Sequence, residues 1–524
     1  MSRFVPDPAD EEPVPDDMTA GATGLPDVVL DVAETPPLAP HAPLSRRDVR
    51  TILASLMMTM FLAALDQTIV ATALPTIGRQ FQDVSQLSWV ITAYLLSSTA
   101  VAPLFGTLSD IYGRRAMIVT SLALFLVGSI LCALAPNLLV LILARGLQGL
   151  GGGGILPLVQ TVIADVVTPR ERGQYQAYFS GMWMAAGIGG PVLGGLFAEH
   201  LHWSMIFWIN VPLGVLSLAL LLPRMRLIPT YHRRRRVDWL GGLLLMASAV
   251  VFLLVLTWGG QRLPWGSPAI MAMVGAAALL ALSFVAHAWR TPEPFLPLPL
   301  LGGSVVPYAI VAGGCAIGTS IGLIVALPLY YDALYRLTAS EAGLALIPVV
   351  TVSVLGAAGA GRAMARLKHY KWSAIAGNLT AAIVMAALAL VPPLPLWALL
   401  AALSLFAFGL GTTFPISVVA IQNAVPRHQV GTATGAMNFF RSLMASFAVA
   451  AFSTILLMAL GGDVSLGAEQ LTAAPWVAAS DMAAAFRFVF GAAAVLTAVA
   501  AICLVVMEER PLAGPTDRPV APAE

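Results

Sequence analysis

Charge is what this chain has least of. Asp, Glu, Lys and Arg make up 10% of its 524 residues, 28 basic and 27 acidic, against 58% hydrophobic ones. A soluble domain carries about 25% charged residues, so a water-exposed surface for a chain this long is excluded. The composition is that of a polytopic membrane protein. Lysine is scarcer still, with only Lys368 and Lys371, and neither follows a glycine-rich phosphate loop. Without a Walker A sequence, ATP hydrolysis through a P-loop of the chain's own is excluded. The three cysteines, Cys132, Cys315 and Cys503, lie in apolar runs with no CxxC spacing, which excludes a disulfide framework and a zinc site. No cofactor and no metal is expected.

The charge that is present is segregated. Nine of the 27 acidic residues fall within residues 1–44, beside one basic residue, Arg3, and many prolines. Residues 1–48 are therefore expected to form a disordered acidic tail. Beyond it, apolar runs near membrane-spanning length recur at about 51–73, 87–106, 116–135, 138–161, 175–198, 205–222, 239–258, 268–289, 305–331, 342–364, 372–391, 396–421, 431–460 and 485–507. Fourteen spans follow. Basic residues set the orientation: Arg79, Arg262 and Arg336 fall in loops on one side and Arg145, Arg441 and Arg487 within spans. The rest cluster in the tails and alternate loops, including Arg114-Arg115, Arg170, Arg172, Arg233 to Arg236 and Arg362 to Lys371. By the positive-inside rule these loops and both termini are cytoplasmic.

A weak internal repeat divides the spans. Gly106-Thr-Leu-Ser-Asp110-Ile-Tyr-Gly113-Arg114-Arg115 follows span 2, and Gly361-Arg-Ala-Met-Ala365-Arg366-Leu-Lys368-His369 follows span 10. The expected organisation is a six-helix half over 49–223, a basic loop and inserted hairpin (spans 7–8) over 224–300, a second six-helix half over 301–510 and a short tail, 511–524. Two such halves facing each other across a midplane site are a transporter architecture.

Several stretches then carry a resemblance. Leu65-Asp66-Gln67-Thr68-Ile69-Val70, running to Ala73-Leu74-Pro75, resembles a first-helix motif, with Ala71 where that family usually has Asn. Gly106 to Arg115 resembles a loop 2–3 signature, Arg145-Gly146-Leu147-Gln148-Gly149 a fourth-helix motif, and Gly187-Ile-Gly189-Gly190-Pro191-Val-Leu-Gly194-Gly195 a fifth-helix antiporter motif. Phe207 to Gly214 and Asp238-Trp239 fit as well. Together, over about residues 50–510, they are similar to the major facilitator superfamily, in its fourteen-helix drug:proton antiporter branch of the EmrB/QacA type. The resemblance implies an all-α membrane fold and an exporter of hydrophobic or amphipathic small molecules, of the multidrug-efflux type, driven by proton exchange.

Each motif has a physical reading of its own. Asp66 is a carboxylate inside a span, where ionisable residues are costly and mark proton or ion paths. Counted from the helix ends at ~1.5 Å per residue, Arg145 lies at matching depth and can pair with it. The resemblance implies that the two couple proton entry to substrate exit; the plain alternative is a static ion pair between spans 1 and 4. Asp110 and Arg114, with Gly106 and Gly113, can form charge-assisted bonds between helices in one conformation and lose them in the other, an inner gate by resemblance. Gly187, Gly190, Pro191, Gly194 and Gly195 allow close helix packing, which is complete as an explanation without the antiporter role that the resemblance adds. Arg441 has no acidic partner in the second half's spans and can serve carbonyls, an anionic substrate or a carboxylate of the first half. With Trp183, Asn438 and Phe439 it forms the candidate substrate cavity.

Two enzyme-like patterns are set aside. Gly318-Thr-Ser-Ile-Gly322 matches a nucleophile elbow and Gly149 to Gly154 a dinucleotide loop, yet both sit within spans. An enzyme is not expected. The expected partners are a small-molecule substrate, protons and the lipid bilayer of the cell membrane, without nucleic acid; a periplasmic adaptor is compatible but not required. Two other readings stay open: an exporter dedicated to one metabolite, such as an antibiotic or siderophore, and a membrane sensor that does not transport.

Overall fold

The computed structural model describes residues 46–82, 86–227, 236–260, 262–460 and 479–512. The expected acidic tail, three of the four arginines at 233–236, most of the loop between the last two spans and most of the C-terminal tail lie outside the described residues.

In lipid every backbone polar group must be satisfied within the chain, and the apolar runs do this as helices. They are α1 (Arg46–Phe81), α2 (Trp89–Tyr112), α3 (Arg114–Ala133), α4 (Leu138–Val166), α5 (Pro169–His200), α6 (Met205–Trp208), α7 (Asn210–Leu221), α8 (Trp239–Trp258), α9 (Pro268–Arg290), α10 (Leu298–Leu301), α11 (Val306–Tyr335), α12 (Ala339–Arg366), α13 (Lys371–Leu390), α14 (Leu396–Ala424), α15 (Val430–Ala459) and α16 (Ala479–Val506). Among the described residues there is no strand, only an isolated bridge between Gly259 and Leu263. Among the described residues, thirteen helices are long and apolar enough to cross a membrane. The sixth expected span differs: its helical hydrogen bonding is interrupted at Ile209, which keeps helical dihedrals (φ −58°, ψ −29°), and α6 with α7 forms one shorter apolar stretch, Met205–Leu221. The protein is a multi-pass membrane protein.

Polar caps start several spans where the sequence changes from loop to apolar run. Asn137, Ser267 and Asp238 accept from the backbone N–H groups of Val140, Ile270 and Gly241, and Thr338 with Glu341 forms a full capping box. The junction of α2 and α3 is tighter than a loop, a single residue, Gly113, at φ 91°. That conformation is strained for any residue with a Cβ. Arg79, expected in a loop, belongs to the last turn of α1, where it donates to the Pro75 carbonyl and the Thr76 hydroxyl.

The helix pairing repeats along the chain. In the first six spans α1 packs on α5 and α7, and α4 on α2 and α3; in the last six α11 packs on α15 and α16, and α14 on α12 and α13. The two sets meet along α2 with α15 and along α5 with α12. The hairpin α8–α9 lies against that seam, with α8 touching both α2 and α15. At its foot Asp238 also accepts from His287 Nε2 at 2.8 Å and the Phe295 N–H at 3.0 Å. Burial pushes the Asp238 carboxyl up, but these hydrogen bonds outweigh it and hold the group below its ordinary value.

Candidate functional site

The sparse charges converge at two places, one within the first six spans and one where α2 meets α15. At the first, α1 delivers Asp66 and α4 delivers Arg145, both buried from solvent. Arg145 Nη1 donates to Asp66 Oδ2 at 2.7 Å and to Gln148 Oε1 at 2.7 Å, while its Nε holds the Val90 carbonyl at 3.1 Å. Its guanidinium lies 4.3 Å from the centre of the Tyr94 ring, a cation–π contact that adds to the ion pair. Asp66 Oδ1 accepts from Gln148 Nε2 and from Asn210 Nδ2, both at 2.8 Å. Asp66 is thus met by one cation and two amides, the full satisfaction that a carboxylate buried in a span demands.

Two of these partners were in motifs already singled out, without an assigned part. Gln148 stands one turn after Arg145, so the i, i+3 spacing alone puts both on one face of α4. Asn210 opens α7 immediately after Ile209, where Pro212 denies the Trp208 carbonyl its helical N–H partner. Tyr94 carried no signal.

At the second place, Asp110 near the end of α2 reaches across to the start of α15. Its Oδ1 accepts from the Gly431 N–H at 3.1 Å, and its Oδ2 from the Thr432 N–H at 2.7 Å and the Thr432 hydroxyl at 2.8 Å. The first N–H groups of a helix have no partner within it, and a carboxylate there is favoured by the helix dipole as well. Asp110 therefore caps a helix of the other set. Arg114 holds it in place, with Nη1 at 2.5 Å from Asp110 Oδ1 and Nε at 3.0 Å from Asp165 Oδ2. Asp165 is a third member that the spacing of the motif did not reveal. Gly106 is needed for closeness: a Cβ there would lie 2.4 Å from the Gly431 carbonyl oxygen. Nearby, Gln160 of α4 accepts from Asn438 Nδ2 at 2.8 Å, and its carbonyl accepts from Gln422 Nε2 at 3.2 Å, so α4 is tied to α14 and α15.

The other expected residues divide. On α5, a Cβ at Gly190 would meet the Thr68 hydroxyl at 2.1 Å and one at Gly194 the Thr72 hydroxyl at 2.2 Å, so both are pressed against α1. Gly187 and Gly195 face open space, and Pro191 is exposed, so close packing accounts for only part of that motif. Arg441 is buried, with Nη2 donating to the Ser417 hydroxyl and Nε without a partner. Phe439 is buried beside Phe440, ring centres 5.1 Å apart. Trp183 stands 37% exposed on α5, with no hydrogen bond or ring contact to Asn438, Phe439 or Arg441.

A buried ion pair inside a bundle of spans and a polar clasp between two sets of spans are arrangements that a membrane transporter can use. The family model of the Major Facilitator Superfamily matches residues 56–449, and the chain belongs to that family. An efflux pump of Fusarium sp, LUC4, is 33% identical over 450 residues, covering 83% of this chain and 79% of its own. The efflux pump FUS6 of Gibberella moniliformis is 32% identical over 455 residues, covering 84% and 79%. Among solved structures, the human organic anion transporter MFSD10 aligns at a TM-score of 0.59 with 14% identity, over 87% of this chain and 99% of that one. The proton:xylose symporter XylE aligns at 0.58 with 16% identity, over 87% and 95%. These two share the fold.

Proposed function

We propose that the protein is a proton-coupled exporter of hydrophobic or amphipathic small molecules, of the fourteen-helix drug:proton antiporter branch. Asp66 carries this reading. A carboxylate placed inside a span and paired with a buried arginine is weak support for stability in its own right, and a protonatable group at that depth is what proton exchange requires. The relatives named as efflux pumps favour export as the direction. The six-span sets are the two halves of an alternating-access cycle, with α8–α9 as an inserted hairpin. The Arg114–Arg115 end of the bundle is cytoplasmic, as are both termini, in a cell membrane. Gly106, Asp110, Gly113 and Arg114 form the inner gate, closed here, while Gly190 and Gly194 keep α5 against α1 beside Asp66. Asn438, Phe439, Arg441 and Trp183 line the substrate path.

Proton gain and loss at Asp66 would then alternate with substrate. With a proton, Asp66 no longer neutralises Arg145, and the first six spans reorganise around the freed cation. The test is purified protein in proteoliposomes, loaded with a lipophilic fluorescent dye under an imposed proton gradient. Dye movement should follow the gradient, stop with a protonophore and be absent in Asp66→Asn, which still inserts and folds. Dye movement unaffected by collapsing the gradient, or normal in Asp66→Asn, overturns the reading.

A further inference from the structure

The interruption in the sixth span has a chemical consequence at Asp66. Asn210 is the first residue after it, fully buried, with Nδ2 donating at 2.8 Å to Asp66 Oδ1 and at 3.0 Å to Ser129 Oγ. Its Oδ1 is buried and has no hydrogen-bond partner. A buried amide oxygen left unpaired costs as much as a lost hydrogen bond, so such an atom calls for an explanation. The opposite orientation of the amide would set its oxygen against an ionised carboxylate. While Asp66 is charged, the amide must show it the NH2 end.

Protonation reverses that demand. Asp66–OH becomes a donor and needs an acceptor. Gln148 Oε1 already accepts from Arg145 Nη1 and from Cys132 Sγ. Tyr94 Oη is also without a partner but is packed against Gly152, whose Cβ, if present, would lie 2.2 Å from it. The acceptor with nothing bound is Asn210 Oδ1. The ionisable side chains facing Asp66 are Arg145 from α4, Tyr94 from α2 and Cys132 from α3. Neither α6 nor α7 contains an ionisable residue.

We propose that Asn210 is a positioning residue that reports the protonation of Asp66 to the α6–α7 junction, by turning its amide so that Oδ1 accepts the Asp66 O–H. The proton bound to Asp66 stays there and the amide only rotates. Either orientation leaves one end of the amide without a partner, so the proton on Asp66 decides between them. The rotation also places Oδ1 beside Ser129, whose hydroxyl now donates to the Phe207 carbonyl at 2.9 Å. That hydroxyl can swing to Oδ1, releasing a carbonyl of α6 two residues before Ile209. The proposal rests on Asp66 being the protonation site of the exchange cycle.

Infrared spectra of the purified protein, titrated with pH, test this directly. The protonated-carboxyl C=O band of Asp66 is assigned by its absence in Asp66→Asn. In Asn210→Leu, which keeps the volume and removes both amide functions, that band should move to the higher frequency of an acid without an acceptor. Asn210→Ala, which also removes both amide functions, is read in the same way if the leucine variant does not fold. An unchanged band in a folded variant overturns the proposal, and so does the absence of any band that Asp66→Asn removes. Normal export by Asp66→Asn would instead remove the coupling role and leave this infrared result standing.

Discussion

The two helix junctions, α2–α3 and α12–α13, begin alike and end differently. Each opens with a glycine pressed against the other six-span set: Gly106 against the Gly431 carbonyl, and Gly361 against the Gly173 carbonyl, where a Cβ would lie 2.3 Å away. The steric contact is the same twice. The polar contact is not. Asp110 crosses to cap α15, whereas the matching residue of the second junction is Ala365. Arg362, Arg366, Lys368 and His369 are exposed there, and His369 and Lys371 turn to the end of their own set, at Glu509 and at the Val505 and Met507 carbonyls. The same division runs through the buried arginines. Arg145 has a carboxylate, an amide and an aromatic face; Arg441 has one hydroxyl. Shape complementarity repeats in both sets, and neutralised buried charge is concentrated in the first.

The largest test of that contrast removes a partner from the neutralised site. Arg145→Leu leaves the buried Asp66 carboxyl without its cation, and breaking a buried pair in this way costs about 3–5 kcal/mol. Thermal unfolding in detergent should show a large drop, or expression should fail. Adding Asp66→Asn should restore most of the stability, since a neutral amide and a leucine leave no uncompensated charge, while dye exchange stays absent. A double variant as unstable as Arg145→Leu alone would mean that the packing of the arginine, rather than its charge, holds α1 to α4.

A smaller effect is expected where the two junctions agree. Adding one methyl group at a tight contact costs about 1–3 kcal/mol, which biases a two-state equilibrium by roughly tenfold or more. Gly106→Ala and Gly361→Ala should therefore each slow dye exchange by about an order of magnitude, and to similar extents. Thiol labelling of Asn438→Cys from the Arg114–Arg115 side should speed up in both, as the closed arrangement loses population. A defect confined to Gly106→Ala would make the clasp depend on Asp110 alone, and the repeat of the steric contact would have no functional meaning.

Much of this was legible in the sequence, and the gaps have definite causes. Thirteen of the fourteen expected spans, and their order, follow from apolar run length, because lipid leaves the backbone no alternative to helices; the sixth falls short. Asp66 and Arg145 were visible because charge inside a span is rare and their depths match. Asp110 stood out because a positive-inside turn explains Arg114 and Arg115 but not an acid beside them. Its target at Gly431 and Thr432 is backbone, and a cap taken from 321 residues away leaves no local pattern. Asn210 was hidden differently: Pro212 marks a lost hydrogen bond at the Trp208 carbonyl, but not which side chain of that turn meets Asp66. Asp165 and Gln160 are ordinary polar residues near the end of α4 until the fold brings Arg114 and Asn438 to them.

The finest test asks whether Arg441 is a mirror of Arg145 or its opposite. Replacing an arginine whose carboxylate remains nearby exposes that carboxylate's cost, whereas Arg441 has no carboxylate to expose. Its one acceptor, the Ser417 hydroxyl, also donates to the Thr413 carbonyl at 2.8 Å, so it keeps a partner when the guanidinium is gone. Exchanging a desolvated cation for an apolar side chain of similar length is then close to neutral or stabilising. Arg441→Met should unfold within ~1 kcal/mol of the unaltered protein, or above it, where Arg145→Leu falls far below. Any loss of dye exchange in that variant is a loss of function without a loss of fold, which separates a cation kept for the transported molecule from one kept for packing. A fall in stability comparable to that of Arg145→Leu would show that the second set neutralises its arginine after all, and the contrast between the two sets would not hold.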